Sequence, residues 1–439
     1  MHGFERPGGL APMRASRSFR PGPVGIVQVE TGMELHALDN VIQPYAWGSR
    51  TALAELLGKA PSSEPQAELW MGAHPLAPSR LVGAGKTLLE HIERDPDAAL
   101  GADVASRFGG RLPFLFKVIA AAQPLSLQAH PSAAQAREGY LREEAEGVPL
   151  TARHRNYKDD CHKPELVCAL TPFVALCGFR QARESRALLS ALELDGALPL
   201  AGLEDAHGVR RLFEVLYGQS EPERAELVAR AVRAAERLSS EPSKLAQLPV
   251  HGAQLSLRWL PRLAALHPSD AGVIGALLLN VVELAPGEAI FLPAGNLHAY
   301  LEGTALELMA SSDNVLRGGL TEKHVDVPEL LRILRFESHH PEILRGRPSP
   351  GSDGQELTFD APVAEFCLSE VEVGGEHSPT WDGGTGPEIL LCLDGQVQVS
   401  RGGHEVELAR GRSVFCDAAS AVYRVTGRGR LARARIGDV

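Results

Sequence analysis

The sequence predicts a mainly β protein with a helical insert, organised as two jelly-roll modules plus an α-helical subdomain. Three observations support this fold class: short apolar runs broken by Gly and Pro over much of the chain, a central stretch with helical periodicity, and an internal repeat. The chain has 439 residues, of which 44% are hydrophobic and 23% charged, so two or three folded domains are expected.

The first half of the chain divides into three regions by composition. Residues 1–32 are rich in Arg, Gly and Pro and lack the apolar stretch of a secretory signal, so we interpret them as a flexible N-terminal extension. From Met33 to about Phe179, runs such as "LPFLFKVIAAA" indicate strands. Residues 181–267 form the predicted helical subdomain, because "SEPERAELVARAVRAAERLSS" joins a helix-starting Ser/Glu/Pro signal to apolar residues at helical spacing. This insert could close over a site or simply enlarge the core, and we expect the second.

The second half of the chain returns to strand patterns. Strands are expected from about Val273 to Glu307, followed by a short helix in "DVPELLRILRF" and a Pro/Gly/Ser-rich linker in "HHPEILRGRPSPGSDG". We therefore predict one jelly-roll domain over 33–335, interrupted by the helical insert, and a second over 336–439.

Bulk properties exclude several classes of protein. The net charge of −11 argues against a general nucleic-acid binder. No apolar run approaches the roughly 20 residues that a membrane helix needs. The six Cys residues have scattered spacings that suggest neither a disulfide framework nor a CxxC metal pair, which favours a reducing, cytoplasmic compartment.

An internal repeat links the two β regions. "VELAPGEAIFLPAGNLHAYL" (282–301) aligns without gaps with "VELARGRSVFCDAASAVYRV" (406–425), and seven of the twenty positions are identical. Two related antiparallel modules, most simply jelly rolls, are therefore expected.

Only the first copy of the repeat keeps a metal-site spacing. Gly287, Pro293, Gly295 and His298 follow the pattern G-x5-P-x-G-x2-H, which resembles the second motif of the cupin jelly rolls, where this His is a metal ligand. Of these positions the second copy keeps only Gly411. A metal is expected in the first cupin-like module, and the C-terminal module is expected to be metal-free.

Further candidate ligands lie in "SLQAHPS" (126–132) and "HKPELV". On a strand, Gln128 and His130 would share one face, and Glu165 leads into an apolar strand where an unpaired carboxylate is costly. Taken singly, His130 is more simply a hydrogen-bonded structural residue, and Glu165 could equally be a solvated strand end. Together with His298 they form a set whose two imidazoles and one carboxylate are typical of catalytic zinc sites. Ligand type alone leaves manganese or iron open.

Long stretches of the chain resemble the type I mannose-6-phosphate isomerases. The resemblance covers about residues 38–335 and includes "NVIQPYAWG", "AELWMGAHPLAPS", "LPFLFKVIAAAQPLSLQAHPS", "YKDDCHKPE" and "HAYLEGTALELMASSDNVLRGGLTEK". Three departures are visible: Cys161 stands where the family usually has Asn, "RGG" (317–319) replaces Arg-Ala-Gly, and "TEK" (321–323) replaces Thr-Pro-Lys. None of these falls on an expected ligand.

The resemblance implies a ligand set and a catalytic arginine. One Zn²⁺ per chain would be bound by Gln128, His130, Glu165 and His298. Arg317 would be the essential arginine; without the motif, a surface ion pair would be the simpler interpretation. The neighbouring Gly pair allows a close approach of backbone to ligand, which suits such a role.

The lysines point to an anionic substrate. The chain has only seven Lys against 37 Arg, yet Lys117, Lys163 and Lys323 all fall inside these motifs. A buried Lys is costly unless it is paired or an anionic substrate arrives. We expect these three lysines and Ser126, on the same strand face as the Gln ligand, to bind a phosphate.

The activity implied is interconversion of mannose 6-phosphate and fructose 6-phosphate through a cis-enediol intermediate. Glu307, Asp313, His162 and Lys163 are all candidates for the proton carrier. The expected partner is the sugar phosphate, with no nucleic acid or membrane, and the expected state is a cytoplasmic monomer. Mannose catabolism and GDP-mannose biosynthesis are both open as its role.

Two other classes of protein remain as alternatives. A non-catalytic metal-binding cupin that senses or binds sugar phosphate would keep the metal but need neither Arg317 nor the lysines. A cupin oxygenase usually has a three-ligand iron site with free positions for O₂, which a Gln ligand and a phosphate pocket fit poorly.

Overall fold

The computed structural model describes residues 35–352, 354–374, 378–382, 386–418 and 422–437. The predicted N-terminal extension (1–32) lies outside the described residues. The α-helices are α1 Ala52–Leu56, α2 Leu88–Arg94, α3 Pro96–Leu100, α4 Ala102–Arg107, α5 Ala133–Ala145, α6 Ala182–Ala191, α7 Gly208–Gly218, α8 Glu221–Ser239, α9 Pro242–Ala246, α10 Ala253–Leu266, α11 Ala271–Gly275 and α12 Val327–Ile333.

The strands are β1 Leu35–Asp39, β2 Val41–Gln43, β3 Glu68–Met71, β4 Arg80–Leu81, β5 Phe114–Ala121, β6 Leu127–Ala129, β7 Glu165–Ala169, β8 Phe173–Phe179, β9 Leu279–Leu284, β10 Glu288–Leu292, β11 His298–Ala310, β12 Leu316–Gly319, β13 Leu344–Arg345, β14 Arg347–Pro348, β15 Glu356–Phe359, β16 Cys367–Val373, β17 Thr380–Asp382, β18 Glu388–Arg401, β19 His404–Ala409, β20 Ser413–Cys416 and β21 Val422–Arg435.

The first module is organised around the long strand β11. Its beginning pairs with β6 and β8, and its second half pairs with β5 and β7. A register shift between Tyr300 and Glu302 marks the bulge where the strand passes from one set of partners to the other. Because β11 borders both sets, residues from β6, β7 and β11 are brought together in the interior of the module.

The second module forms a separate sheet around β18 and β21, in the order β14-β15-β16-β21-β18-β20-β1-β4. Strand β1, from the beginning of the described chain, pairs with β20 and so belongs to this sheet in space. The β-rich architecture with two sheets and a helical region confirms the predicted fold class.

Helices α6 to α10 lie in the predicted insert and pack over the first module. Helix α8 begins after Ser220, whose side chain forms a capping box with Glu223, as its sequence indicates. The apolar faces of these helices share one core with Leu127 and Leu297 next to the candidate ligands. The insert therefore enlarges the core, and its last residues, Leu266 and His267, also line a cavity of the first module.

Three local predictions were wrong. The region 33–179, which was predicted to form strands, also contains α1 to α5. Helix α5 gives little hydrophobic signal in the sequence because it is exposed and has few apolar residues, and its start is marked only by the capping box at Ser132. The apolar run from Val273 begins as α11, capped by Asp270, before continuing as β9. The linker in "HHPEILRGRPSPGSDG" contains β13 and β14. Short apolar runs do not by themselves distinguish buried helix from buried strand.

The second module keeps a carboxylate at the place of a candidate ligand. In the repeat alignment Leu292 corresponds to Cys416. Leu292 pairs with Glu165 across the first sheet, and Cys416 pairs with Glu388 across the second. Glu388 is therefore the positional counterpart of Glu165.

An arginine neutralises this second carboxylate. Nε and Nη2 of Arg433 donate to Glu388 at 2.6 and 2.7 Å, and Nη1 donates to Glu356 at 2.9 Å. The guanidinium also lies over the ring of Trp381, and the Tyr423 hydroxyl donates to Glu388. The guanidinium of Arg433 supplies the positive charge beside Glu388, so this carboxylate needs no metal ion. For this reason the C-terminal module is still predicted to be metal-free.

Replacing Arg433 with Met is expected to lower the free energy of unfolding by about 3–5 kcal/mol, because Glu388 and Glu356 would remain buried without a cation. Urea unfolding followed by circular dichroism measures the change. Arg347→Met is the matched control: its exposed side chain forms an ion pair with the exposed Asp360 in the same sheet, and such pairs contribute about 0–1 kcal/mol. Equal losses in the two variants would contradict the prediction.

No helix in the described part of the chain is both long and apolar enough to cross a membrane.

Candidate metal centre

Three predicted ligands from three segments meet inside the first module. His130 directly follows β6, Glu165 begins β7 and His298 begins β11. Nε2 of His130 lies 3.3 Å from Glu165 Oε1, and Nε2 of His298 lies 3.2 Å from Glu165 Oε2. All three side chains are at most 2% exposed, and their ligand atoms lie within 4.8 Å of one another.

His130 and His298 adopt the tautomer in which Nε2 is free to bind a metal. Nδ1 of His130 lies 2.6 Å from the Asn314 carbonyl, and Nδ1 of His298 lies 3.1 Å from the Asn296 carbonyl, so each Nδ1 carries the proton. Both Nε2 atoms and Glu165 Oε2 are buried with no hydrogen-bond partner among the described residues. Buried acceptors that converge in this way fit a divalent cation.

Burial keeps His130 in the neutral form that a metal ligand needs. Desolvation lowers the pKa of this imidazole to about 4, although the Glu165 carboxylate acts in the opposite direction. For Glu165, burial alone would raise the pKa, but the positive charge of Lys163 and the contacts with the imidazoles hold it well below the usual range. Lys163 Nζ lies 3.1 Å from Glu165 Oε1.

Strand register places the fourth predicted ligand beside the other three. Gln128 lies opposite His298 in the β6–β11 pair and opposite Arg317 in the β6–β12 pair. Its side chain lines the same cavity as Glu165. Gln128 therefore has the position for a ligand, and its coordination of the ion remains a prediction.

Lys117 is paired with carboxylates inside the module. Its Nζ lies 2.9 Å from Glu307 and 3.6 Å from Glu68, and it also lies over the Trp70 ring. Burial by itself would lower the Lys117 pKa, but the two carboxylates outweigh it and the pKa is raised. The Tyr300 hydroxyl donates to the other oxygen of Glu307 at 2.8 Å. Much of the charge of this lysine is therefore already compensated.

The predicted phosphate-binding residues and Arg317 share one cavity. It has a volume of about 740 Å³, and its walls include Ser126, Lys117, Lys163, Arg317 and Lys323 together with Gln128 and Glu165. Within the described chain no carboxylate forms an ion pair with Arg317 or Lys323. Burial lowers the pKa of the Arg317 guanidinium, and burial together with the charge of Arg317 lowers that of Lys323.

Of the four candidate proton carriers, Glu307, Asp313 and Lys163 line this cavity. The ring of His162 instead lies 2.6 Å from Glu365, and His162 is not among the described residues that form the wall. The wall also includes four residues that were not expected from the sequence to belong to the site: Tyr45, Trp47, Glu68 and Trp70. Glu68 had a usable signal, because it is a lone carboxylate in the apolar run "ELWM".

A second cluster of two histidines and a carboxylate occurs among the described residues. It differs from the first cluster in which ring nitrogen of a histidine carries the proton. Asp417 lies 3.0 Å from His36 Nε2 and 2.8 Å from His91 Nε2. Lys86 Nζ lies 3.1 Å from His91 Nδ1, so Nδ1 accepts and Nε2 carries a proton toward Asp417. This arrangement is satisfied by hydrogen bonds, whereas the first cluster is not.

Two family models match the chain. One, described as phosphomannose isomerase type I, catalytic domain, covers residues 35–182, and the other, mannose-6-phosphate isomerase, cupin domain, covers residues 355–436.

Relatives match along almost the whole chain. It is 42% identical over 407 residues to mannose-6-phosphate isomerase of Escherichia coli (strain K12), which covers 91% of this chain and 99% of the relative. It is 32% identical over 446 residues to the Aspergillus fumigatus enzyme of the same name, covering 92% and 94%.

Solved structures agree in fold. A crystal structure of mannose 6-phosphate isomerase bound with zinc and yttrium matches with a TM-score of 0.79 and 39% identity, covering 92% of this chain and 99% of that one. A single-residue mutant of phosphomannose isomerase from Salmonella typhimurium matches with a TM-score of 0.80 and 38% identity over the same shares. On this agreement in sequence, domain content and fold, the chain belongs to the type I phosphomannose isomerase family.

Proposed function

We propose that this chain is a zinc-dependent isomerase that interconverts mannose 6-phosphate and fructose 6-phosphate. The observation that carries the proposal is a set of buried ligand atoms on His130, Glu165 and His298 that have no hydrogen-bond partner among the described residues. They lie beside a cavity lined by Arg317 and Lys323, and neither of these cations forms an ion pair within the described chain. Relatives over nearly the whole chain are named for this reaction, and one solved relative is bound with zinc. A Zn²⁺ ion held by these residues would supply a Lewis acid for oxygens that gain negative charge.

Arg317 is proposed to stabilise the charge of a cis-enediol intermediate. Exchange between aldose and ketose removes a proton from C2 and returns one to C1, and the negative charge that develops on oxygen is the main difficulty. Strand β12 places Arg317 opposite Gln128, beside the ligand group. A fixed guanidinium in a partly buried site stabilises such charge without reorganisation during the reaction.

The proton carrier is proposed to be Glu307. Burial and the nearby carboxylates raise its pKa despite Lys117, which brings it closer to the working pH of a general base. Asp313 lies 3.3 Å from the His74 ring, and contact with that ring keeps its pKa low although burial acts to raise it, so it is a weaker base.

The phosphate is proposed to bind Ser126, Lys117, Lys163 and Lys323. Lys117 and Lys163 each face buried carboxylates, whereas Lys323 lies near Arg317 and forms no ion pair within the described chain. Among the lysines, we therefore assign Lys323 the largest share of the attraction for a dianion. Binding the phosphate would position the reacting carbons and favour phosphorylated sugars.

The alternative of a non-catalytic sugar-phosphate sensor is less well supported. It would not need an arginine such as Arg317 beside the ligand group, and the relatives that match nearly the full chain are isomerases by name.

We also propose a cytoplasmic monomer. Five of the six cysteines are buried, and the six form no disulfide framework, which suits a reducing compartment.

Removal of the metal is expected to lower kcat roughly 100-fold or more, because the Lewis acid would be lost. A coupled assay that detects fructose 6-phosphate should show this after chelation, and one equivalent of Zn²⁺ should restore the rate. Activity that survives complete removal of metal, or its absence in the zinc-loaded protein, would refute the proposal.

Elemental analysis provides a matched control for this experiment. His298→Ala should contain no zinc, while His36→Ala, which alters the hydrogen-bonded second cluster, should retain one zinc per chain. Two zinc ions in the unmodified protein, falling to one in His36→Ala, would show that the tautomer argument for the second cluster is wrong.

Substitution of Arg317 and of Lys323 separates substrate binding from chemistry. Arg317→Met is expected to lower kcat roughly 100-fold, because one charge-stabilising group is lost. Lys323→Met is expected to raise KM for mannose 6-phosphate about tenfold and to change kcat less, because it removes part of the phosphate anchor. Steady-state kinetics measures both values. The reverse pattern would exchange the two roles.

A further inference from the structure

The segment Gly318–Thr321 directly follows Arg317 and is bonded to two residues from helical parts of the chain, one in α7 and one just before α11. We call this segment the arginine turn. One face of it lines the substrate cavity, and the other lines a separate cavity of about 470 Å³ beside α7 and the loop before α11. The two cavities share Leu266, His267, Thr321 and Glu322 as walls. The turn therefore has open space behind it and needs attachment to keep one position.

Tyr217 supplies the first attachment. It is near the end of α7 in the helical insert, and its hydroxyl donates to the backbone carbonyl of Gly318. The Tyr217 ring stacks on Phe213, with ring centroids 4.6 Å apart. The hydroxyl is thus held by a packed aromatic pair, and it contacts the residue next to Arg317.

Asp270 supplies the second attachment. Its Oδ2 accepts from the Thr321 amide at 3.1 Å, and its Oδ1 accepts from the Gly272 amide at 2.6 Å at the start of α11. A Cβ on Gly319 would meet Asp270 Oδ1 at 2.6 Å and the Gly272 Cα at 2.7 Å. This close approach explains the need for glycine at 319, where φ is +115°.

The backbone between the two attachments is in an unfavourable conformation. Leu320 has φ +55°, a left-handed value that is rare for a branched residue, while its side chain is buried. Such a conformation persists only where the surroundings impose it. Here the contacts of Tyr217 and Asp270 lie on either side of it.

We propose that Tyr217 and Asp270 are positioning residues that hold the arginine turn, and through it Arg317, in place for catalysis. The proposal rests on the function proposed above and gives the helical insert a role in the reaction as well as in the core. Neither residue is among those lining the substrate cavity, so each would act through the turn.

Tyr217→Phe removes one hydroxyl and is expected to lower kcat roughly 10–100-fold, because small displacements of a catalytic group have effects of this size. Zinc content should stay at one per chain. Hydrogen–deuterium exchange of the amides in 318–323 should become at least about tenfold faster. Asp270→Ala should show the same pattern. Tyr140→Phe, which makes the same change in another half-buried tyrosine of the same core, should leave kcat and exchange unchanged.

A double-mutant cycle separates positioning from general damage. In the Arg317→Ala background, Tyr217→Phe is expected to change kcat by less than about twofold, because the group that it positions is gone. If the effects of the two substitutions multiply, or if Tyr217→Phe alone has normal kcat and normal exchange, the positioning proposal is overturned.

Failure of the parent proposal has a different signature. Full activity in Arg317→Ala would remove the role of Arg317, and with it any effect of positioning on catalysis. The amide-exchange experiment would still report whether Tyr217 and Asp270 hold the turn. Normal exchange in both variants would refute the anchoring itself, whatever the activity.

Discussion

The burial of Glu165 at the start of β7 creates the electrostatic demand that shapes the interior of the first module. Glu165 is 2% exposed, and in so dry a place an ionised carboxylate needs positive charge nearby. Lys163 and two imidazoles surround it, and their geometry suits an added cation. In the second module the corresponding Glu388 is neutralised by Arg433. The two modules thus meet one electrostatic requirement in two ways.

Charge is distributed unevenly along the cavity. Near the ligand group, Glu68, Glu165 and Glu307 face Lys117 and Lys163, so much of the charge is compensated. Arg317 and Lys323 have no ion-pair partner within the described chain. The compensated end would suit a polar, uncharged group, and the end with Arg317 and Lys323 would suit an anionic group. The helical insert contributes to this layout because it contacts the turn that follows Arg317.

Sequence patterns were informative where the cause of structure is local. Helix α8 could be predicted because its capping residues and apolar stripe lie within one window, and His298 because its motif is contiguous. Helix α11 was missed because a short apolar run has no distinctive period and its cap bonds with a distant segment. The pairing of Lys117 with Glu307 could not be read from the chain, since these residues are 190 positions apart.

Residue types and their order were enough to predict the fold class, the repeat, the absence of a His298 counterpart in the second copy and a set of candidate ligands for a metal and a phosphate. Tertiary structure decided which of those charges are compensated, which imidazole nitrogens face the carboxylate, and that Tyr217 and Asp270 reach the turn beside Arg317. The physical reason is that residue type fixes what a side chain can do, whereas burial and neighbours from distant strands set its protonation and its partners.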